Sequence, residues 1–250
     1  MDKTKEIKTQ NFVADFYENI RYKKGYSKKF HDFWMSKMLS MSKPFGRILD
    51  NGCGTGELMS FIRANTNDVV EIIGCDISEK MIEFAKNKAD KVCIADSENL
   101  PFEDNYFDVI YVRALLHHLQ DMPKAISEVA RVLKPGGRVV FAETNKNFLN
   151  DLPRRLAKKG EHFSEDHKNL NDSELINAIK KELAVEKIEY LGYLGYFLLG
   201  FPDILDIYRF VPFKKIITPA LIKFDLLLSR IPFVKKLAFC IMVSANKSEI

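Results

Sequence analysis

In the run Ile48-Leu49-Asp50-Asn51-Gly52-Cys53-Gly54-Thr55-Gly56, an apolar segment ends in a carboxylate and passes into glycines at alternate positions. Where a strand runs directly into a helix, glycine lets the backbone take positive φ and approach a ligand closely, and the helix N-terminus offers unpaired N–H groups. A second carboxylate, Asp76, ends the next apolar run about 20 residues beyond the glycines, where it can accept both hydroxyls of a ribose. A third, Asp96, ends the run after that. The glycine turn with Asp76 suits a dinucleotide as well as other adenosine cofactors, whereas a dinucleotide site requires neither Asp96 nor the turn Leu133-Lys134-Pro135-Gly136-Gly137. His117 and His118 follow a fourth apolar run and are the candidates for a general base.

These residues need elements to hold them. From Arg47 onward, short β-branched runs alternate with helical stretches, the pattern of βαβ units around a parallel sheet. Strands are expected at 47–51, 69–76, 91–96, 107–112 and 138–143, with helices near 57–65, 79–88 and 122–133. A helix over 172–182, capped by Asp172, a sixth strand at 185–194 and a seventh at 238–245 follow. The stretch 11–41 reads as two helices broken at Gly25. The expected fold is α/β: a doubly wound, Rossmann-like sheet of seven strands, mostly parallel with the last antiparallel. An N-terminal helical lid (1–45) precedes a catalytic domain (46–250), which carries a helical insertion at about 197–236.

A chain of 250 residues with 46% hydrophobic and 29% charged residues has the composition of one ordinary globular domain, which argues against both long disorder and a membrane bundle. The formal net charge of +4 hides a partition, with basic ends and an acidic middle. Cys53, Cys75, Cys93 and Cys240 stand singly with no CxxC pair, so neither a metal site nor a disulfide framework is expected. The charged N-terminus lacks a signal-peptide core, and the longest uncharged stretch, 190–202, is shorter than the roughly 20 residues a transmembrane helix needs. A cytoplasmic protein is expected.

From Arg47 to Glu143 the chain resembles the class I S-adenosylmethionine-dependent methyltransferases, in the type 11-like branch whose members mostly methylate small molecules. The resemblance rests on residues 48–56, on Gly-Cys-Asp-Ile-Ser-Glu-Lys-Met-Ile (74–82), and on Ala-Asp-Ser-Glu-Asn-Leu-Pro-Phe (95–102). Phe-Asp-Val-Ile (107–110) and Arg-Val-Leu-Lys-Pro-Gly-Gly (131–137) complete it. It implies S-adenosylmethionine as cofactor and S-adenosylhomocysteine as product. Asp50, Asn51 and the turn Gly52-Cys53-Gly54-Thr55-Gly56 would meet the methionine end, and Asp76 the ribose. Asp96 with Ser97 would meet the adenine amine, Ile77 and Met81 would pack around the adenine, and Arg113 is counted with the cofactor residues. The cofactor's ammonium, diol and exocyclic amine each want an acceptor, and three strand-end carboxylates supply them.

Methyl transfer from a sulfonium needs acceptor and methyl held in line more than it needs a protein nucleophile. Nucleic-acid amino methyltransferases of this fold carry an Asn/Asp-Pro-Pro-aromatic run where this chain has Val112-Arg113-Ala114-Leu115, and no cysteine follows a proline as cytosine C5 chemistry requires. A DNA acceptor is therefore not expected and an RNA acceptor is disfavoured. Between 201 and 236, apolar residues alternate with Lys214, Lys215, Lys223, Arg230, Lys235 and Lys236. Such a helix can cover the sheet or the mouth of the site, and it also suits the inner face of a membrane or a long-chain substrate. The expected acceptor is small and hydrophobic or lipid-linked, methylated at oxygen or carbon. The alternatives are a non-catalytic S-adenosylmethionine sensor or scaffold and an RNA methyltransferase drawing on the basic ends, while the oligomeric state is open.

Overall fold

The computed structural model describes residues 2–66, 70–146, 170–202 and 206–249. Among them, seven strands form one sheet: β1 (Arg47–Asn51), β2 (Glu71–Asp76), β3 (Lys91–Ile94), β4 (Phe107–Arg113), β5 (Leu133–Thr144), β6 (Ala184–Leu191) and β7 (Cys240–Asn246). Their order is β3-β2-β1-β4-β5-β7-β6. The first five pair in parallel, and β7 inserts antiparallel between β5 and β6. The expected sheet, with its single antiparallel strand at the end of the chain, is the one observed. Ile48 and Leu49 of β1, like Val109 and Ile110 of β4, are fully buried on opposite faces, which is why these strands read as continuous apolar runs. β1 lies between β2 and β4, so the chain reverses direction across the sheet there, and a crevice opens at the carboxyl ends of those strands.

Helices α1 (Lys3–Phe16), α2 (Gly25–Met41), α3 (Glu57–Asn65), α4 (Glu79–Ala85), α5 (Met122–Val132) and α6 (Asp172–Glu182) cover the faces. α5 shows how local chemistry sets an element. The Asp121 carboxylate accepts the Lys124 N–H at 3.0 Å, Pro123 occupies the first turn, and Ala125, Ile126 and Val129 at helical spacing are fully buried. The first helix starts at Lys3, well before the expected position, because Asp2 caps it by accepting the Thr4 N–H at 2.9 Å. It runs into a π-turn, Tyr17–Arg21, and Gly25 opens α2. α6 is capped by Asn171, and Asp172 is its first residue.

Several boundaries of the sheet also differ from expectation, β3 for one stopping at Ile94, short of Asp96. Lys134-Pro135-Gly136-Gly137 is not a turn ahead of the fifth strand. It lies within β5 as an irregularity that shifts the pairing with β4, with Gly136 at φ 74. The Gly136 N–H donates to the Lys247 carbonyl at 2.8 Å, and the Lys134 ammonium reaches Asp108 at 2.7 Å. This motif therefore braces the edge of the sheet opposite the crevice. β6 stops at Leu191 because Gly192 takes φ 81, and β7 starts at Cys240.

The insertion between β6 and β7 consists of α7 (Leu194–Leu199), a 3-10 turn (Ile207–Phe210), α8 (Lys214–Leu228) and α9 (Pro232–Lys235). Asp225, a carboxylate within α8, is buried. Its carboxylate accepts the backbone N–H groups of Tyr193 at 2.9 Å, Gly195 at 3.0 Å and Tyr196 at 3.3 Å, which are donors that the start of α7 would otherwise leave unsatisfied. A second buried polar contact, between the hydroxyls of Thr218 and Tyr208 at 3.0 Å, lies two turns earlier on the same side of α8.

Candidate active site

The site grows from the end of β1. Gly52, Gly54 and Gly56 have φ of 74, 54 and 87. The N–H groups of Gly52 and Cys53 both donate to the Cys75 carbonyl at 2.9 Å, which folds the turn back over β2. A Cβ on Gly52 would press into the Leu115 side chain at 2.9 Å, whereas one on Gly54 would meet nothing nearer than the Met81 sulfur at 4.0 Å. Gly54 thus needs its glycine for backbone conformation and presents open backbone to the crevice.

Asp50 is 1% exposed, and its Oδ2 has no hydrogen-bond partner among the described residues. Burial pushes its pKa up to about 7, with Asp76 adding to the rise and the nearby Arg113 guanidinium opposing it. An orphaned buried carboxylate beside a backbone cradle fits a ligand carrying an ammonium group. Asn51 next to it is buried, and its Oδ1 accepts the Ser97 hydroxyl at 2.7 Å and the Cys75 thiol at 3.3 Å. Its Nδ2 has no partner among the described residues.

Asp76 accepts the Gly54 N–H on one oxygen and the Ser78 N–H on the other, both at 2.9 Å. These bonds hold the carboxylate in one plane, and burial raises its pKa against them. Ile77 is half-buried beside it, and Met81 is buried against Val13 and Ala14 of α1. Asp96 sits beyond β3, where its carboxylate accepts the Glu98 N–H at 2.9 Å and the Lys3 ammonium at 2.5 Å. Lys3 also reaches Glu98 at 2.7 Å, and Asn11 of α1 accepts the Ser78 hydroxyl at 2.6 Å. The first helix thus lies along the outer edge of the crevice.

The two histidines part company. Ala114 takes the left-handed conformation at φ 52, which ends β4 and turns the chain into the short 3-10 helix Leu116–His118. His117 is buried, and its Nδ1 lies 2.6 Å from Glu143 Oε2. The other Glu143 oxygen accepts the N–H groups of Leu115 and Leu116, each at 2.8 Å. Burial pushes Glu143 up to about 7 against those donors. His117 therefore belongs to a clamp that shapes the loop, and its burial argues against direct proton transfer to an acceptor. His118 is more open, with Nδ1 2.8 Å from Glu6 of α1.

Beyond Arg113 the wall becomes aromatic. An Arg113 Nη2 group donates to the Tyr22 hydroxyl at 3.3 Å, and the Tyr22 ring meets His31 edge-on at 5.0 Å. His31 stacks parallel to Trp34 and bonds through Nε2 to the Gly200 carbonyl at 2.9 Å. Burial, followed by the charges of Arg113 and Arg21, depresses its pKa to about 3, so the ring is neutral. Tyr196 of α7 packs against Trp34 at 5.6 Å. Sequence reasoning missed Glu143, Lys3, Glu6 and His31 as neighbours of the site. Only Glu143 carried a signal, as a carboxylate ending an apolar strand on the crevice side. Burial pushes the thiols of Cys53 and Cys75 well up, which leaves them inert, and no metal-binding cluster occurs among the described residues.

A backbone turn open to the crevice at Gly54, with strand-end carboxylates at Asp50 and Asp76, on a sheet whose last strand is antiparallel, suits a methyl-transfer enzyme built on a Rossmann-like core. The family model for a methyltransferase domain matches residues 49–141. The chain belongs to the class I S-adenosylmethionine-dependent methyltransferases. It is 30% identical over 193 residues to the ubiquinone/menaquinone biosynthesis C-methyltransferase UbiE of Vibrio campbellii, a match covering 66% of this chain and 74% of that protein. It is 38% identical over 117 residues to the human Probable tRNA methyltransferase 9B, covering 44% of this chain but only 25% of that protein. Among solved structures, a Thermotoga maritima S-adenosylmethionine-dependent methyltransferase described as a possible histamine N-methyltransferase superposes with a TM-score of 0.66 at 19% identity, covering 96% and 99% of the two chains.

If Asp50 holds the cofactor ammonium, its titration governs binding. Its folded value of about 7 lies above the ordinary 3.8, so burial of the carboxyl is best tolerated at low pH, and that contribution to stability is lost as pH rises through about 7. Ligand affinity has the opposite sign, because the ammonium needs the ionised form. Affinity for S-adenosylhomocysteine should fall by close to tenfold per unit as pH drops below about 7. Calorimetry across pH should show this acid limb in the wild type and a flat profile there in Asp50→Asn.

Proposed function

We propose that the enzyme methylates a small, hydrophobic or lipid-linked acceptor at carbon or oxygen, held between α2, α7 and the end of β4. The observation that carries this reading is the aromatic wall of Tyr22, His31, Trp34 and Tyr196, which begins at Arg113, next to Asp50. S-adenosylmethionine supplies the electrophilic methyl group. Asp50 would hold its ammonium, Gly52 to Gly56 would cradle the methionine portion, and Asp76 would bind the ribose diol. Asp96 would face the adenine amine while sharing its carboxylate with Lys3, and Ile77 and Met81 would line the ring.

Tyr22, half-buried at the open end of these rings, would meet the acceptor, and the buried rings of His31, Trp34 and Tyr196 behind it would hold it in place and exclude water. Of the two histidines, His118 is the better candidate for a general base, because the Glu6 carboxylate orients its ring. The Vibrio relative, a carbon methyltransferase of quinone biosynthesis, supports carbon as the target atom. The likeness to the tRNA enzyme spans less than half of this chain, and β4 ends at Arg113, followed by Ala114-Leu115 with no amine-holding Pro-Pro run.

The test is incubation with methyl-labelled S-adenosylmethionine and a cell extract, separated into lipid, small-molecule, RNA and protein fractions. Label in the lipid or apolar small-molecule fraction is expected, and label confined to RNA would overturn the reading. Cofactor binding without label in any fraction would favour a sensor or scaffold.

A further inference from the structure

We propose that the outward face of α8 and α9 is a docking surface for an anionic lipid bilayer. The two buried anchors described above, Thr218 and Asp225, fix the rotation of α8 about its axis. Both lie on the inner side, where Ile217, Leu221 and Leu226 pack on the core. With those residues turned inward, Phe213, Ile216, Ala220, Phe224, Leu227 and Ile231 form one continuous stripe facing solvent at helical spacing. Leu221 turns to the core and Phe224 to solvent, so the apolar residues of α8 divide between two sides. One face covers the core and the other is open.

The open face is unusually apolar. Ile216 is 71% exposed, Phe213 77% and Phe233 92%. Phe213 also holds a left-handed backbone at φ 50, a conformation that is costly for a non-glycine residue, with its ring left in solvent. Folded surfaces rarely present a row of large apolar side chains unless something covers it.

Charge selects the occupant. Lys223 and Arg230, seven residues apart, run along one edge of the stripe, while Lys215, Lys235 and Lys236 stand exposed at its ends. The two carboxylates within 206–237 are both turned away from this face: Asp225 is buried beneath α8, and Asp206 is bound to Lys24 and Tyr26 of the N-terminal region. An apolar stripe edged by cations, with no carboxylate of 206–237 upon it, suits acyl chains beneath anionic headgroups. No helix among the described residues is long and apolar enough to cross a membrane, so the contact would be peripheral. The same insertion carries Tyr196 of the aromatic wall, so docking would set the acceptor side of the site near the bilayer. This last consequence rests on the acceptor reading above, whereas lipid binding itself does not.

The test is flotation of the full chain with vesicles of phosphatidylcholine alone or phosphatidylcholine containing phosphatidylglycerol, without methyl donor. Binding to the anionic vesicles and its loss on raising salt are expected. The variant Phe213→Ser/Phe224→Ser/Phe233→Ser should lose binding, and Lys223→Glu/Arg230→Glu should weaken it by on the order of fivefold or more per charge. Both should keep wild-type affinity for S-adenosylhomocysteine, which shows that they fold. Absence of flotation with either vesicle, or flotation indifferent to these substitutions, would overturn the proposal. So would a dimer in solution that the Phe variant dissociates, since a second copy would then cover the face. Vesicle binding with label appearing only in a water-soluble product would sink the lipid-linked acceptor and leave the docking surface standing.

Discussion

Asp76→Ala should bind S-adenosylmethionine and S-adenosylhomocysteine between about 10² and 10⁴ times more weakly than the wild type, because a charged acceptor shared by two hydroxyls contributes on the order of 1.5–3 kcal/mol per bond. The carboxylate is held in place before any ligand arrives, by the N–H groups of Gly54 and Ser78 at 2.9 Å. Little ordering remains to oppose binding, so most of the interaction should appear as affinity. Asp96→Ala should cost less, because that carboxylate is already engaged by Lys3 and partly open to water. Titration calorimetry on both variants, with thermal unfolding to verify that they fold, measures the difference. Wild-type affinity in Asp76→Ala would remove the ribose from that position.

The second large effect should fall on stability. Glu143→Ala leaves two backbone N–H groups and the His117 ring without their buried acceptor, a loss expected to cost about 3–5 kcal/mol. Chemical denaturation should register it as a lower midpoint with little change in slope. His117→Ala should also destabilise, and the double variant should lose less than the sum of the two, because the groups act on each other. If His117 instead served as the catalytic base, its removal would abolish methyl transfer while leaving the unfolding midpoint where it was. A midpoint unchanged in Glu143→Ala would mean that the loop after β4 does not depend on this clamp.

The match to the tRNA methyltransferase covers 117 residues of this chain, and the family model ends at residue 141. The longer match to the quinone-pathway enzyme takes in 66% of the chain. The Vibrio and human relatives are both named as methyltransferases. On the proposed reading, the insertion between β6 and β7 and the N-terminal helices would surround the acceptor, and differences in substrate would be built there.

Much of the local geometry around the glycine turn was legible from residues close together in the chain. The glycine turn, the carboxylates at strand ends and the Asp121 cap with Pro123 act over a few positions, so their types and spacing carry the information. Where local reading erred, a distant partner was responsible. Lys134-Pro135-Gly136-Gly137 looked like a turn because of its composition, yet Lys247 pairs with it across the sheet and keeps it in β5. His117 and His118 looked equivalent until Glu143 buried one and Glu6 engaged the other.

The amino-acid order by itself determined the parallel sheet, the glycine turn and the presence of an amphipathic insertion, since periodicity and turn chemistry are properties of neighbouring residues. Only the tertiary structure decided that Lys3 would engage Asp96, that His117 would serve as a buried clamp and that α8 would turn half of its apolar surface outward. A helix that is apolar over most of its circumference can pack on several sides, and its sequence alone does not choose among them. Asp225 makes the choice here, by finding the unsatisfied N–H groups of α7 about 30 residues earlier in the chain.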